Sequence, residues 1–147
     1  EKCDAYIINT CTVTGESDRK SRQMIRRLAK NGAAVFVTGC TTEYSATLLS
    51  EIDGVEGICG NAEKLKIVDM IDAYFSSSPT NEVAIFMPKI EDAAFEVMSL
   101  SGFPRTRVYI KIEDGCENRC TYCAIPDIRG KFRSRPMEDI IKEAKKD

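Results

Sequence analysis

The sequence predicts an α/β fold built on a parallel sheet, and two observations support this prediction. Short apolar runs at residues 5–9, 34–38 and 55–59 have the length and composition of buried strands. Segments of helical period separate these runs, and strands that alternate with helices pair in parallel. We therefore expect the strands to lie side by side, with their carboxyl ends at one edge of the sheet.

The helices of this sheet are predicted from periodicity and from capping residues. The first covers residues 18–30, and the second covers residues 43–52 with Thr42 as its N-cap. The third begins at Asn61, its predicted cap, and continues to about residue 75. Its predicted apolar face comprises Leu65, Val68, Ile71 and Phe75.

A strand, a loop and a helix are predicted in the last third of the chain. Residues 107–112 alternate polar and apolar side chains, as a strand does, and Asp114 and Gly115 end the alternation. Pro136 suits the first turn of a helix. The apolar side chains of that helix are Met137, Ile140, Ile141 and Ala144. In barrel folds the loop that follows such a strand lies where active sites are built.

Composition divides the chain into three parts. Residues 1–75 are predicted to form one α/β domain. Residues 76–104 are predicted to be a linker, because they open on a run rich in Ser, Pro, Thr and Asn and show little period beyond a possible strand at 83–87. Residues 105–147 begin a second domain. No run is long and apolar enough to cross a membrane, and free cysteines favour the reducing cytoplasm.

Three cysteines within eight residues are the strongest functional signal. Cys116, Cys120 and Cys123 can bind one cofactor from a single loop. Each iron of a 4Fe–4S cluster needs an outer ligand, so three thiolates leave the fourth iron open for a small molecule. The spacing therefore favours a catalytic iron–sulfur site over a closed structural one.

Two structural alternatives compete with this interpretation. A zinc site needs four ligands, usually in spaced pairs, whereas this chain has no histidine; a cysteine from elsewhere could still complete such a site. A disulfide framework is disfavoured because the seven cysteines are an odd number, and because 43% hydrophobic residues can form a core without disulfides.

The cysteine loop and its flanks resemble those of radical S-adenosylmethionine enzymes. Tyr122 precedes the last cysteine, and the stretches 114–126, 129–130 and 133–135 are similar to the methylthiotransferase branch of that family. The resemblance implies a 4Fe–4S cluster on the loop, S-adenosylmethionine on its open iron and Tyr122 near the adenine. It also implies an electron donor. The cluster would pass one electron to S-adenosylmethionine, whose sulfonium would break with release of methionine, and the resulting 5′-deoxyadenosyl radical would remove hydrogen from the substrate.

A second cluster is implied by the first half of the chain. Cys11 and Cys40 each follow a predicted strand, and on position alone either could be a small buried core residue. The stretches 9–11 and 38–40 resemble two of the three cysteine positions that hold an auxiliary 4Fe–4S cluster in methylthiotransferases, where it supplies sulfur. A second S-adenosylmethionine would supply the methyl group. Cys3 and Cys59 match no ligand position and are predicted to be structural core residues.

The resemblance also implies how the fold is divided. It predicts a truncated Rossmann/flavodoxin-like sheet domain, followed by the first strand–loop–helix unit of a TIM-like partial barrel. The third auxiliary ligand of the family lies upstream of Glu1. We therefore expect the chain to be an internal piece of a protein about three times longer, inactive on its own.

The substrate predicted from the resemblance is tRNA. The stretches 8–14 and 20–27 look most like the branch that acts on threonylcarbamoyl-adenosine next to the anticodon. The alternative substrate is an aspartate of a ribosomal protein. The alternative functions are an electron carrier and a zinc-bearing RNA-binding module. The predicted helix 18–30 carries many cations and no acid after Asp18, which suits phosphate contact but also suits a solvated face. The predicted RNA contacts are Arg19, Arg22, Arg26, Arg129 and Arg133. The last two lie next to the cysteine loop, so serving S-adenosylmethionine or core packing are the alternatives for them.

Overall fold

The first part of the protein is a four-stranded parallel sheet. The computed structural model describes residues 3–12, 14–77, 82–98 and 109–145. The strands lie in chain order and all pair in parallel. They are β1 (Ala5–Thr10), β2 (Ala34–Gly39), β3 (Val55–Cys59) and β4 (Ala84–Phe86). The predicted α/β fold with a parallel sheet is confirmed.

Three helices connect and cover these strands: α1 (Gly15–Ala29), α2 (Cys40–Ser50) and α3 (Lys66–Ser76). α1 begins three residues before the predicted start, because the Thr14 hydroxyl accepts a hydrogen bond of 3.1 Å from the Ser17 amide. α2 begins directly at Cys40. Thr42 was predicted to be its N-cap but lies inside the helix and is buried. The Thr42 hydroxyl instead donates to the Gly39 carbonyl at 2.7 Å.

The predictions for α3 were wrong in its start and in its buried face. Asn61 does not cap this helix; its side-chain amide donates to the Ile128 carbonyl at 3.2 Å. Of the predicted apolar face, Leu65, Val68 and Phe75 are exposed. Ile71 packs against the sheet as predicted, but its neighbours there are Ile67, which is buried, and Met70. The true face is displaced around the helix from the predicted one, because the sheet, and not the spacing alone, decides which side is covered.

The core lies on both faces of β2, the most deeply buried strand. Side chains alternate along a strand, so Val35 and Val37 pack on the side of α1 and α2 together with Ile25. Phe36 points to the other side and packs with Ile67 of α3. All six residues of β2 are buried, as in parallel sheets that are covered on both faces.

The last part of the chain holds the cysteine loop. A short antiparallel pair, β5 (Glu113–Asp114) and β6 (Arg133–Ser134), encloses the loop and α4 (Ile125–Arg129), and α5 (Met137–Ala144) follows. A 3-10 helix spans Ile90–Asp92. Of the predicted strand 107–112, the first two residues lie outside the described part. Residues 109–112 are not a strand; the pairing begins at Glu113.

Two further sequence predictions differ from the structure. β4 lies within the predicted linker 76–104, where the possible strand 83–87 is confirmed, and it pairs with β3, so the sheet extends past the predicted boundary at residue 75. In α5 the predicted apolar residues Met137 and Ile141 are exposed, and the buried residue is Glu143. Its carboxylate forms an ion pair with buried Arg135, which explains how a charged side chain occupies that position. None of the described helices is long and apolar enough to span a membrane.

Candidate functional site

Cys11 and Cys40 lie together at the carboxyl edge of the sheet. Thr10 is paired with Gly39 at the last register position of β1 and β2. Cys11 directly follows Thr10, and Cys40 directly follows Gly39. Cys40 is 3% exposed, whereas Cys11 is partly exposed. In parallel α/β sheets this edge is where ligands bind.

Thr10 fixes the turn that carries Cys40. Its hydroxyl donates to the Thr38 carbonyl at 2.8 Å and accepts from the Thr41 amide at 3.0 Å. α2 has no cap from its own N-cap residue, Gly39, so Thr10 supplies an acceptor to its first turn from the neighbouring strand. The position of Cys40 is therefore set by a contact across the sheet.

Gly39 is required at this turn for a steric reason. Its φ is 97°, in the region that favours glycine. A Cβ at this position would lie 2.4 Å from the Thr10 carbonyl oxygen and 2.5 Å from the Asn9 side-chain oxygen. The absence of a side chain lets β1 approach the start of α2, which brings Cys11 and Cys40 near each other.

We expect Thr10→Val to destabilise this edge by about 1–3 kcal/mol, because it leaves the buried Thr41 amide without its acceptor while preserving side-chain volume. Chemical denaturation of the full-length protein, followed by circular dichroism, measures the change. Thr47→Val is the matched control on an exposed position of α2, where the change should stay within about 0.5 kcal/mol. Equal effects of the two substitutions would show that the Thr10 hydroxyl does not hold the turn.

The cysteine loop is anchored at its two ends and open in the middle. The Cys116 amide donates to the Gly130 carbonyl at 3.1 Å, and the Cys123 amide donates to the Cys120 carbonyl at 3.0 Å. Cys116 and Cys123 are partly buried, whereas Cys120 is exposed and Tyr122 is 90% exposed. The loop therefore presents its central cysteine and Tyr122 outward.

The chemistry of the donor set fits an iron–sulfur cluster. All seven cysteines lie in the described part of the chain, and all are free thiols, which are the ligands such clusters use. Among the described residues, no group of three or more Cys, Asp or Glu side chains is arranged to hold one metal ion. The fit therefore rests on ligand type and spacing along one loop.

Asp114 organises the start of the loop. Its carboxylate accepts from the Gly115 amide at 2.9 Å, from Lys111 at 2.6 Å and from Arg129 at 3.4 Å, and it lies 3.7 Å from Arg133. Burial raises the pKa of Asp114, but the hydrogen bond and charge of Lys111, with the Gly115 amide and Arg129, hold it below its ordinary value. Asp114 is therefore ionised at neutral pH and holds three cations beside the loop.

Arg129 connects the cysteine loop to the sheet edge. One of its terminal nitrogens, Nη2, lies 4.0 Å from the Cys40 sulfur, and the other, Nη1, lies 3.4 Å from Asp114. Burial lowers the pKa of Arg129, but Cys40, Asp114 and the more distant Cys11 outweigh it and raise the pKa above its ordinary value. The structure thus brings Cys11, Cys40 and Arg129 together, next to the loop of Cys116.

Arg129 and Arg133, both predicted to contact RNA, turn toward the protein. Arg129 faces Cys40 and Asp114. One terminal nitrogen of Arg133 donates to the Arg129 carbonyl at 2.7 Å and to the Lys131 carbonyl at 3.2 Å. With these partners, the two side chains hold the loop together.

The basic face of α1 is partly neutralised by its own first turn. Glu16 pairs with Arg19 at 2.8 Å and with Lys20 at 3.4 Å, and Asp18 pairs with Arg22. The sequence prediction began the helix at residue 18 and so missed Glu16, although the spacing to Arg19 and Lys20 was visible. Within the described residues, the cations of α1 and its C-cap without a carboxylate partner are Arg26, Arg27 and Lys30.

Other residues at the edge carried no signal in the sequence. The Glu43 carboxylate accepts a hydrogen bond of 2.6 Å from the backbone amide of Asn61, and burial raises the pKa of this carboxyl group. Burial, then the charge of Lys111, lower the pKa of Lys64. These groups meet from distant parts of the chain, so no local pattern indicates them.

Cys59 and Cys3, predicted together to be core residues, differ in the structure. Cys59 is fully buried, and burial raises the pKa of its thiol to about 11, so it stays protonated at neutral pH. Its sulfur donates to the Glu63 carbonyl at 3.2 Å. Cys3 is exposed, so the prediction of a core role was wrong for this residue, which precedes β1.

Comparison with known proteins agrees with the motifs. Residues 1–60 match the model of the uncharacterized protein family UPF0004. The chain is 39% identical to the threonylcarbamoyladenosine tRNA methylthiotransferase MtaB of Bacillus subtilis, over 98% of this chain and 32% of that protein. It is 37% identical to the ribosomal protein uS12 methylthiotransferase RimO of Desulforamulus reducens, over 97% of this chain and 33% of that protein. The predicted resemblance to methylthiotransferases is confirmed.

The methylthiotransferase relatives differ in the substrates that their names state. A second MtaB, from Aquifex aeolicus, is 34% identical over 99% of this chain and 36% of that protein. tRNA and ribosomal-protein methylthiotransferases therefore match at similar identity. The chain spans about a third of the length of the curated relatives it matches.

Proposed function

We propose that the full-length protein is a tRNA methylthiotransferase that adds a 2-methylthio group to threonylcarbamoyl-adenosine next to the anticodon. The observation that carries this proposal is the contact between Cys40 and Arg129, which lies six residues beyond Cys123. A transferase that passes sulfur to a radical-activated substrate needs its two cysteine sites side by side. The match to an MtaB at 39% identity supports tRNA as the substrate.

Two groups of cysteines would hold the cofactors. Cys116, Cys120 and Cys123 would bind one 4Fe–4S cluster with S-adenosylmethionine at its open iron, and Cys11 and Cys40 would provide two ligands of the auxiliary 4Fe–4S cluster. When bound, these groups would supply the electron transfer from an external donor, the radical chemistry and the sulfur.

The residues of this chain position the chemistry. Asp114 and the Gly130 carbonyl fix the start of the loop, so the cysteines leave it at defined points. Tyr122 is free to lie against an adenine. At the sheet edge, Thr10 holds the turn that carries Cys40.

The unpaired end of α1 is the proposed contact for tRNA. Charge reversal at Arg26, Arg27 and Lys30 should weaken tRNA binding roughly tenfold or more, because each lost phosphate contact also lowers counterion release. The dependence of log K on log salt should become shallower by roughly one unit per lost contact. Filter binding across a salt series measures both quantities.

A matched triple variant separates local contact from net charge. Reversal of Lys66, Lys142 and Lys145 changes the charge equally, but these exposed side chains lie on α3 and at the end of α5. This control should retain most of the tRNA affinity. Equal loss in both triple variants would remove α1 from the binding surface and leave only a general charge effect.

A ribosomal-protein substrate is the second candidate. The match to a RimO at 37% identity favours it, and so do the ion pairs that neutralise three of the six cations on α1 and its C-cap. A protein substrate would not need the phosphate contacts of a long basic face.

Mass spectrometry of both substrates distinguishes the candidates. Cells with and without the full-length protein are compared for methylthiolated threonylcarbamoyl-adenosine in digested tRNA, and for a methylthio mass increase in peptides of uS12. We expect the nucleoside only when the protein is present, and no change in uS12. A modified uS12 with unmodified tRNA would replace the first candidate with the second.

A further inference from the structure

We infer that Arg129 is a positioning residue. It fixes the cysteine loop relative to Cys11 and Cys40 at the sheet edge, and it places its positive charge beside the Cys40 sulfur. This inference rests on the proposed cluster at Cys11 and Cys40. Arg129 is the last residue of α4 and belongs to neither cysteine group.

Two consecutive residues, Arg129 and Gly130, each contact one of the two cysteine sites. The Arg129 guanidinium lies 4.0 Å from the Cys40 sulfur, and the carbonyl of the next residue, Gly130, accepts the Cys116 amide at 3.1 Å. A displacement of this short segment would therefore move the cysteine loop relative to the sheet edge. The geometry couples the two sites through the backbone of residues 129–130.

The segment itself is held firmly from several directions. Ile128 is fully buried, and its carbonyl accepts the Asn61 side chain at 3.2 Å from the sheet domain. Gly130 has a φ of 71°, and a Cβ there would lie 2.8 Å from the Ile90 carbonyl oxygen. Because the backbone on both sides is fixed, the Arg129 side chain reaches Cys40 from a defined starting point.

Arg129 shares the Asp114 carboxylate with two other cations. Asp114 pairs with its guanidinium, but Lys111 and Arg133 also face that carboxylate. Burial and the charges of Lys111 and Arg129 lower the pKa of Lys64, whereas the charges of Cys40 and Asp114 raise it. Lys111, Arg129 and Arg133 thus surround the Asp114 carboxylate, and Arg129 also lies beside the Cys40 sulfur.

This environment has a defined effect on thiolate ligands. Iron–sulfur clusters held by cysteines are anionic, and a hydrogen-bond donor or cation at a ligating sulfur stabilises the reduced form. A guanidinium keeps its proton in proteins, so this contribution is permanent. Removing the charge of Arg129 should therefore make the auxiliary cluster harder to reduce.

The test uses the full-length protein, reconstituted anaerobically with iron and sulfide. Cys116, Cys120 and Cys123 are replaced with alanine so that the auxiliary cluster is observed alone. In that background Arg129→Gln, Arg129→Lys and the control Lys131→Gln are compared. Lys131 is an exposed cation two residues away, and its backbone carbonyl accepts a hydrogen bond from Arg133. The readouts are iron content and the reduction potential from titrations followed by electron paramagnetic resonance.

We expect Arg129→Gln to shift the reduction potential to a more negative value, Arg129→Lys to shift it less, and Lys131→Gln to leave it unchanged. Loss of auxiliary iron in Arg129→Gln with retention in Arg129→Lys would also support the inference. An unchanged potential in Arg129→Gln, or an equal shift in Lys131→Gln, would overturn it. Adding Cys11→Ala and Cys40→Ala should remove the iron; if the iron remained, the proposed auxiliary site itself would be wrong.

Discussion

Replacing Cys120 with alanine in the full-length protein should abolish cleavage of S-adenosylmethionine. Cys120 is one of three proposed thiolate ligands, and its loss leaves two cysteines for four irons. The reaction is started with dithionite under anaerobic conditions, and 5′-deoxyadenosine is quantified by chromatography. The expected product level is at the background without enzyme.

Cys3→Ala is the matched control for this experiment. Cys3 is also an exposed free thiol, but it lies before β1 and outside both cysteine groups. This variant should cleave S-adenosylmethionine at the wild-type rate. Full cleavage by Cys120→Ala would show that the loop does not hold the radical cluster.

Replacing both Cys11 and Cys40 with alanine should separate the two halves of the reaction. Cleavage of S-adenosylmethionine should continue, because the radical loop keeps its three cysteines. Methylthiolated product should disappear, because the proposed sulfur source lacks two ligands. Deoxyadenosine and modified nucleoside are measured in the same reaction, so the split between them is the result.

Cys59→Ala tests whether this loss is only a packing effect. Cys59 is buried like Cys40, and its removal also leaves a small cavity, but it is a proposed structural residue. This variant should form product at the wild-type level. If the Cys11 and Cys40 double variant aggregated or lost its thermal transition, a structural core role would account for these two cysteines better than a cluster does.

The sheet could be predicted because its signal is local and strong. β2 is buried on both faces, so its residues form an apolar run, and β3 occupies the predicted residues 55–59. The ends of the helices depended on distant contacts. Thr42 and Asn61 are good capping residues by type, yet the structure uses one to bond Gly39 and the other to hold Ile128.

The buried faces of α3 and α5 show why periodicity alone was insufficient. Both helices have apolar side chains on more than one side, so several faces fit a helical repeat. In α3 the sheet selects Ile67 and its neighbours. In α5 the buried position belongs to Glu143, because Arg135 lies within reach as a partner. No sequence window of helical length contains the opposing surface that makes these choices.

The cysteines of the candidate site stand out in the sequence, whereas the contacts that join them do not. The spacing of Cys116, Cys120 and Cys123 is visible on one loop, and Cys11 and Cys40 follow predicted strands. The contact between Arg129 and Cys40 joins residues 89 positions apart, so no local pattern contains it. The sequence left RNA contact, S-adenosylmethionine and core packing open for Arg129, and only the fold shows that its guanidinium lies 4.0 Å from the Cys40 sulfur.

The most direct test of the central claim is the iron and sulfide content of the full-length protein purified anaerobically. Two separate 4Fe–4S clusters predict about eight iron and eight sulfide per chain, and about four of each after removal of either cysteine group. The first variant replaces Cys116, Cys120 and Cys123, and the second replaces Cys11 and Cys40. About four iron in the wild type, zinc in place of iron, or loss of all iron in both variants would contradict two independent clusters.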